Sequence, residues 1–157
     1  MSRADMVRAY AESLLEQVLG TDRVRPDKDG DYPVRYQSAL YYVRIVPGQS
    51  DDPVVQVFAI ALADITPSAE LFEQLNEINT QLRFARIFWV RDQVLVESEM
   101  PGMALSLEGL GNACNTVGGA ADYFGPRLAE TFGGKTAFAD EKGPDYEEPA
   151  DWPGQYL

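Results

Sequence analysis

The segment Val54–Leu62, VVQVFAIAL, constrains the fold most strongly, because it predicts a β-strand with two apolar faces and Gln56 as its only polar residue. An antiparallel sheet that carries helices on one side normally alternates apolar and polar residues. The second face therefore needs a cover, which would be a second copy of the chain, the C-terminal segment or a bound partner. The alternative is a closed core, in which one helix crosses to that face.

The segment Phe84–Val90, FARIFWV, repeats this pattern. One face carries Arg86 among apolar residues, and the other is wholly apolar. The two sets are Phe84, Arg86, Phe88 and Val90 on one face, and Ala85, Ile87 and Trp89 on the other. We therefore expect the predicted sheet to be partly buried on both sides.

Apolar spacing, caps and turn residues predict three helices separated by two groups of strands. The helices are expected from Ser2 to Gly20, from Thr66-Pro67 to about Leu82, and from Ser106 to Gly133-Gly134. The strands are expected at Val34–Val46 (one long strand or two short ones), Val54–Leu62, Phe84–Val90 and Val94–Met100. The order α-β-β-β-α-β-β-α, with hairpins between successive strands, predicts an α+β domain built on an antiparallel sheet.

Residues 135–157 differ from the rest of the chain, because they are rich in acids, proline and glycine. We predict an α+β domain at residues 1–134 and an acidic, flexible C-terminal tail at residues 135–157. The tail ends in DWPGQYL, in which Trp152 and Tyr156 are large aromatic groups. This ending is interpreted as a turn-like terminus or, alternatively, as a docking element for a partner or a second subunit.

Charge and residue counts exclude several classes of function. The net charge of −12 disfavours nucleic acid and anionic membranes, because both are bound through lysine and arginine. The absence of histidine removes the commonest general base and metal ligand. The single cysteine, Cys114, leaves no usual zinc site and no disulfide within the chain. We expect a cytoplasmic protein that is not an enzyme, uses no cofactor and binds neither nucleic acid nor a membrane.

Two acidic patterns were weighed as chemical sites. Glu97 and Glu99 alternate on one predicted strand, so they share a face and could hold a cation or act as acid and base. Two acids at this spacing are more typical of a solvated face. The run from Asp27 to Asp31, DKDGD, is similar to the start of a calcium loop, but it lacks the glutamate that such a loop requires at its twelfth position. Neither pattern predicts a site.

Two asparagines lie beside the apolar stripe of the second predicted helix. In LFEQLNEIN, Asn76 and Asn79 fall on a line with Phe72, at the border of the stripe that Leu71 and Leu75 begin. An amide at such a border can donate to and accept from the backbone of a strand or loop that the helix covers. We predict this structural role for the asparagines, with a partner contact as the alternative.

Four segments carry a family resemblance. They are LFEQLNEIN after its Thr-Pro start, FARIFWV, VRDQVLVESEM and ADYFGPRLAETFGG. Together they resemble the actinobacterial YbjN-type proteins, whose fold is similar to that of type III secretion chaperones, over about residues 1–134. The resemblance implies the element order above, small acidic chains, frequent dimers and a binding or chaperone-like role without catalytic residues.

The sequence thus predicts a non-enzymatic, chaperone-like module that holds an apolar or extended segment of a partner protein. The second face of the sheet and the last helix would supply the surface, and the predicted contacts are Phe58, Ile87, Trp89, Trp152 and Tyr156. A homodimer is expected, because it would cover the doubly apolar sheet. The alternative is an adaptor or regulatory subunit that docks a basic partner through its acidic surface and aromatic tail. Loss of partner binding on deletion of residues 135–157 would favour the adaptor.

Overall fold

A computed structural model describes residues 1–140 of the chain. Its helices are α1 (Arg3–Leu19), α2 (Ala69–Asn79) and α3 (Leu107–Phe132), with a short 3-10 helix at Gly102–Ala104. Its strands are β1 (Tyr32–Tyr36), β2 (Ala39–Val46), β3 (Val54–Leu62), β4 (Arg86–Val90) and β5 (Gln93–Pro101). The predicted order and the α+β class are confirmed, and the region before residue 47 forms two strands rather than one.

A serine begins each of the three α-helices. The side chains of Ser2, Ser68 and Ser106 each accept a hydrogen bond from the backbone N–H three residues later, at 3.0 to 3.1 Å. The starts at Ser2 and Ser106 were predicted correctly. The start at Thr66-Pro67 was wrong, because these residues precede the N-cap and Ser68 supplies the capping oxygen.

The five strands form one antiparallel sheet in the order β1-β2-β3-β5-β4. At the central strand β3, Phe58 lies opposite Tyr42 on one side and Glu97 on the other. Arg86 of β4 lies opposite Glu97. Because directly paired residues project from the same face of a sheet, these four side chains form one row across four strands.

All three helices pack on one face of the sheet, which we call the helical face. α3 contacts β1, β2, β3 and β5, while α1 packs on α3 and β2, and α2 packs on β4. From β3, alternate residues starting at Val55 are at most 3% exposed beneath these helices. No helix within residues 1–140 covers the other face, which we call the open face. The alternative of a helix that crosses to the second face is therefore not what the structure shows.

Two glycines allow α3 to lie close to the sheet. A Cβ atom built at Gly118 would be 2.8 Å from the ring of Tyr36, and one at Gly125 would be 2.8 Å from the carbonyl oxygen of Ala61. Contacts this short would push the helix away from the strands. α3 thus occupies the helical face of the central strands only because these positions lack side chains.

The chain continues past α3 across the end of the sheet. Lys135 exchanges two backbone hydrogen bonds with Ala63, at 2.8 and 2.9 Å. The ring of Phe138 lies 3.8 Å from the guanidinium carbon of Arg35 on β1. Residues 135–140, which the sequence analysis assigned to the tail, thus contact the domain.

Asn79 closes the outer edge of the sheet. β4 is an edge strand, and the Asn79 side chain donates to the Ile87 carbonyl and accepts from the Ile87 N–H, both at 2.8 Å. The amide thus takes the place of a neighbouring strand. The predicted structural role is confirmed for Asn79. It is wrong for Asn76, whose exposed side chain makes no hydrogen bond within the described residues.

We expect Asn79→Ala to lower the free energy of unfolding by about 2 kcal/mol, because two half-buried backbone groups of Ile87 lose their partner. Asn76→Ala is the matched control and should change stability by less than about 0.5 kcal/mol. Urea unfolding of both variants measures the difference. Equal stability of the two variants would contradict the assigned role of Asn79.

Candidate functional site

The open face is a continuous surface of half-buried apolar and aromatic side chains. Its side chains shield one another, and the rings of Tyr42 and Phe58 stack with centroids 5.1 Å apart and planes inclined by 17°. The apolar members of this face are Leu40, Tyr42, Val46, Val54, Phe58, Ile60, Phe88, Val90 and Leu95. A patch of this kind on a chain whose helices all lie on the other side indicates an interaction surface.

Arginines frame the aromatic rings of the open face. The guanidinium of Arg44 lies 4.6 Å from the ring centroid of Phe58, and that of Arg86 lies 4.9 Å from the ring centroid of Phe88. These distances are within the range of cation–π attraction. The aromatic rings and the guanidinium groups therefore lie side by side on the open face.

The carboxylates that pair with these arginines lie beneath them. Arg44 makes two hydrogen bonds to Asp31, at 2.6 and 2.9 Å, and Arg86 makes one to Glu97, at 2.8 Å. The side chains of Arg44 and Arg86 are 41% and 65% exposed, whereas those of Asp31 and Glu97 are 7% and 8% exposed. In both pairs the arginine is therefore the exposed partner, and further acidic side chains act on it, those of Asp27 and Asp29 on Arg44 and that of Glu99 on Arg86.

The expectation of a solvated acidic face at Glu97 and Glu99 is wrong for Glu97. Its carboxyl is buried between Phe58 and Arg86, because neighbouring strands place those side chains on either side of it. Burial raises the pKa of Glu97, and its hydrogen bond to Glu99 adds to this. The same hydrogen bond lowers the pKa of Glu99, which also accepts from Gln56 at 2.8 Å. Within residues 1–140, no group of acidic and cysteine side chains has the geometry of a metal site.

The predicted contact residues fall on different faces. Phe58 lies on the open face, as expected for a contact there. Ile87 and Trp89 lie on the helical face, because they pair with the core residues Val96 and Val94 of β5. Ile87 is 1% exposed and is covered by α2, so its side chain is not available at the surface.

Trp89 supports the structure around α2. Its indole N–H donates to the carbonyl of Ile65 at 2.9 Å, and its ring meets the edge of Phe72 with centroids 6.0 Å apart. These contacts tie β4 to the loop before α2 and to the first turns of that helix. Trp152 and Tyr156, the other two predicted contacts, lie outside the described residues.

Several open-face residues are not among the contacts that were predicted from the sequence. Tyr42, Arg44 and Phe88 gain their importance from the strands beside them, since each faces Phe58 or Glu97 across the sheet or along its diagonal. The sequence LYYVRIV does indicate that Tyr42 and Arg44 project from the same face of their strand, because they are two residues apart. Their alignment with Phe58 required the strand register.

A cleft adjoins the free end of β5. β4 pairs with β5 only as far as Glu97, so residues 98–101 of β5 have no strand on that side within the described chain. The cleft has a volume of about 300 Å³ between this edge and α3. Its apolar lining comes from Phe84, Met100, Ala104 and Ala113. An extended segment could pair with such an edge and place a side chain in the cleft.

Comparison with known families identifies the family of the chain. Residues 5–140 match the sequence model of TY-Chap1, described as T3SS (YopN, CesT) and YbjN peptide-binding chaperone 1. The chain belongs to this family. As a TY-Chap1 protein it is a chaperone-like, peptide-binding module, and the resemblance to YbjN-type proteins and type III secretion chaperones is confirmed.

Solved structures include a similar fold. A chain in the structure titled "Crystal Structure of the ExsC-ExsE Complex" superposes on this TY-Chap1 chain with a TM-score of 0.61 and 13% sequence identity. The superposition covers 82% of this chain and 97% of that chain. At this identity the likeness shows the fold. No curated protein matches the sequence, and none of the helices in residues 1–140 has the length and apolarity that a membrane span requires.

We expect the raised pKa of Glu97 to appear in the pH dependence of stability. The folded state holds the Glu97 proton more tightly than the unfolded state, so the free energy of unfolding should fall as pH rises above the ordinary value of 4.5. Glu97→Gln cannot ionise and should lose this fall. The lowered pKa of Glu99 changes the free energy of unfolding only below about pH 4.5, so it does not contribute to the fall above that pH. Urea unfolding at a series of pH values tests this, and parallel curves for the two proteins would contradict it.

Proposed function

We propose that this protein is a non-enzymatic chaperone that holds an extended, partly apolar segment of another protein on the open face of its sheet. The observation that carries this proposal is the open face, which no helix of residues 1–140 covers and whose rings and arginines lie on the side away from those helices. Membership of a peptide-binding chaperone family supports it.

The shape and chemistry of the open face favour an extended segment. Along each strand its outward side chains recur at every second residue, and a strand-like peptide presents alternate side chains at the same period. The unpaired edge of β5 at residues 98–101 adds backbone groups, and the adjoining cleft can accept one apolar side chain. The exposed guanidinium groups of Arg44 and Arg86 favour carboxylates in the bound segment.

The side chains that could act as a nucleophile or as an acid or base are buried or paired with other residues of the fold. This supports a non-enzymatic role. Burial raises the pKa of the Cys114 thiol to about 12, so it is not a thiolate at neutral pH. Glu97 is held by Arg86, and the sequence contains no histidine. The single buried cysteine is also compatible with a reducing compartment, which supports our proposal of a cytoplasmic location.

We further propose a homodimer, formed on the helical side rather than over the sheet. Large apolar side chains are exposed there on α1, on the 3-10 helix and at the start of α3, namely Met6, Tyr10, Met103 and Leu107. A second copy over these side chains would leave the open face free for a partner. Light scattering at micromolar concentration should give twice 17.4 kDa, and a species of 17.4 kDa alone would overturn the dimer.

Peptide arrays test the proposed function. We expect the full-length protein to bind extended peptides that combine aromatic, aliphatic and acidic residues. Phe58→Asp should weaken this binding by about tenfold, because it puts a charge at the centre of the open face. Phe72→Asp is the matched control, since it makes the same change on the helical side and should retain binding. Equal binding of peptides by the two variants would contradict the assignment of the open face as the binding surface.

The adaptor alternative predicted from the sequence depends on residues 141–157, which lie outside the described structure. In the same array, basic peptides would be preferred if the protein were such an adaptor. Preference for acidic and aromatic peptides would favour the chaperone.

A further inference from the structure

The two outer edges of the sheet are poorly suited to an added strand. On β4, the Asn79 side chain already bonds both backbone groups of Ile87. On β1, Pro33 has no N–H to donate, and the ring of Phe138 lies against the guanidinium of Arg35. A side chain that occupies the edge and a proline within the edge strand both oppose further strand pairing.

The last residues of β5 form a third edge, which is open. The backbone groups of Ile87 point outward from β4, so those of Arg86 point inward to its partner Glu97 on β5. Residues two apart on a strand direct their N–H and C=O to the same side, so those of Glu99 also point away from β3. The pairing of β4 with β5 ends at Glu97. Glu99 can therefore offer one donor and one acceptor to an added strand, whereas Pro101 can offer only its carbonyl.

Two recesses leave room for an added strand along this edge. One has a volume of about 250 Å³ and is lined by residues 84–86 and 97–99. The other is the cleft of about 300 Å³ toward α3, which is lined by Ser98 and Met100 among others. Because side chains alternate along a strand, a residue paired with Glu99 would have both of its neighbours on the side of this cleft. The cleft can thus take one side chain next to the paired residue.

Phe84 lines both recesses. Its side chain is 90% exposed, and its φ of 57° lies in the left-handed region, which is costly for a bulky residue. The hydroxyl of Ser98 donates to the Phe84 carbonyl at 2.7 Å and so ties this conformation to β5. An exposed ring that is held in a strained position beside an open strand edge indicates a contact for a bound side chain.

Glu99 decides which residue can pair with this edge. It is the only charged residue among the described residues that line the cleft. Hydrogen bonds from Glu97 and Gln56 lower the pKa of Glu99, so it is ionised at neutral pH. Arg86 also acts on Glu99, but its guanidinium is hydrogen-bonded to Glu97, at 2.8 Å. Opposite charges that face each other across a strand pair stabilise it, and like charges oppose it. A basic residue is therefore favoured opposite Glu99.

The same charge argues against a second copy of the chain as the added strand. If two β5 edges paired through their open backbone groups, the two Glu99 carboxylates would face each other. An offset pairing of Glu99 with Pro101 would lose a hydrogen bond, because proline has no N–H. The net charge of −12 also favours a partner segment with a basic residue over another copy of the chain.

We propose that the edge of β5 at Glu99 takes up an extended segment of a partner protein, in which a lysine or arginine pairs with Glu99 and an adjacent large apolar side chain enters the cleft beside Phe84. This inference rests on the proposed function and deepens it, because it gives the partner segment a sequence requirement. The segment needs one basic residue next to an apolar one, in addition to the residues that the open face accepts.

Matched heptapeptides test the charge requirement on the full-length protein. The peptides carry leucine on both sides of a central residue and threonine elsewhere, and the central residue is lysine in one and glutamate in the other. We expect the lysine peptide to bind about fivefold more tightly, as measured by fluorescence anisotropy. Glu99→Lys should reverse this order, a result that loss of folding cannot produce.

Glu73→Lys is the matched control for Glu99→Lys. It makes the same change in net charge at an exposed position of α2, on the helical side, and should keep the preference for the lysine peptide. The same order of binding in both variants would overturn the proposal. Failure of the lysine peptide to bind the unaltered protein would overturn it as well.

Backbone methylation tests the pairing itself without any change in the protein. An N-methyl group on the central lysine removes the N–H that would bond the Glu99 carbonyl, and binding should weaken about tenfold. An N-methyl group on the following leucine is the control, because that N–H points away from β5, and binding should be retained. Equal binding of the two methylated peptides would overturn strand pairing at this edge.

These outcomes separate the inference from the proposed function. Array binding that depends on Phe58, combined with an unchanged order of the heptapeptides in Glu99→Lys, would overturn the inference and leave the proposed function standing. A reversed order in Glu99→Lys, combined with array binding that is indifferent to Phe58→Asp, would support the edge of β5 and contradict the open face.

Discussion

The close approach of α3 to the central strands decides what the rest of the molecule can do. Gly118 and Gly125 leave room for the ring of Tyr36 and the carbonyl of Ala61, so one long helix covers β1, β2, β3 and β5 from a single side. α1 then packs on α3, and α2 fills the remaining space against β4. Because each helix within residues 1–140 packs on the helical face, no helix of that part of the chain covers the apolar side chains on the other face of β3. The open face is thus a consequence of how the core is closed.

The open face combines features that an ordinary core lacks. The rings of Tyr42 and Phe58 stack across neighbouring strands, and arginines lie against the rings of Phe58 and Phe88 while the carboxylates that pair with those arginines are buried. Glu97 shows the cost of this arrangement, since burial raises the pKa of its carboxyl and Arg86 must hold it. A surface of this kind can bind apolar side chains and carboxylates at once. This property suits a chaperone that must accept segments of another protein without a deep pocket.

Much of the fold could be predicted from sequence, because caps, turns and apolar runs are local signals. Ser2, Ser106 and the doubly apolar strand at residues 54–62 were interpreted correctly, and the family resemblance rested on similarly local segments. One error is local, and the others concern which side chains meet across elements. The local error concerns the start of α2, because Thr66-Pro67 has the residue types of a helix start just as Ser68 does. Ile87 and Trp89 could be assigned to a face only through the pairing of β4 with β5, and Glu97 is buried by residues from two other strands. Asn79 rather than Asn76 meets the sheet edge because α2 ends beside Ile87.

Site-specific photo-crosslinking tests the central claim most directly. A photoreactive phenylalanine analogue at Phe58 probes the open face, and the same analogue at Phe72 probes the helical side of the same full-length protein. With an acidic, aromatic peptide bound, we predict crosslinks from Phe58 and none from Phe72. Crosslinks from Phe72 alone, with an unreactive Phe58, would contradict the assignment of the open face as the surface that holds the partner segment.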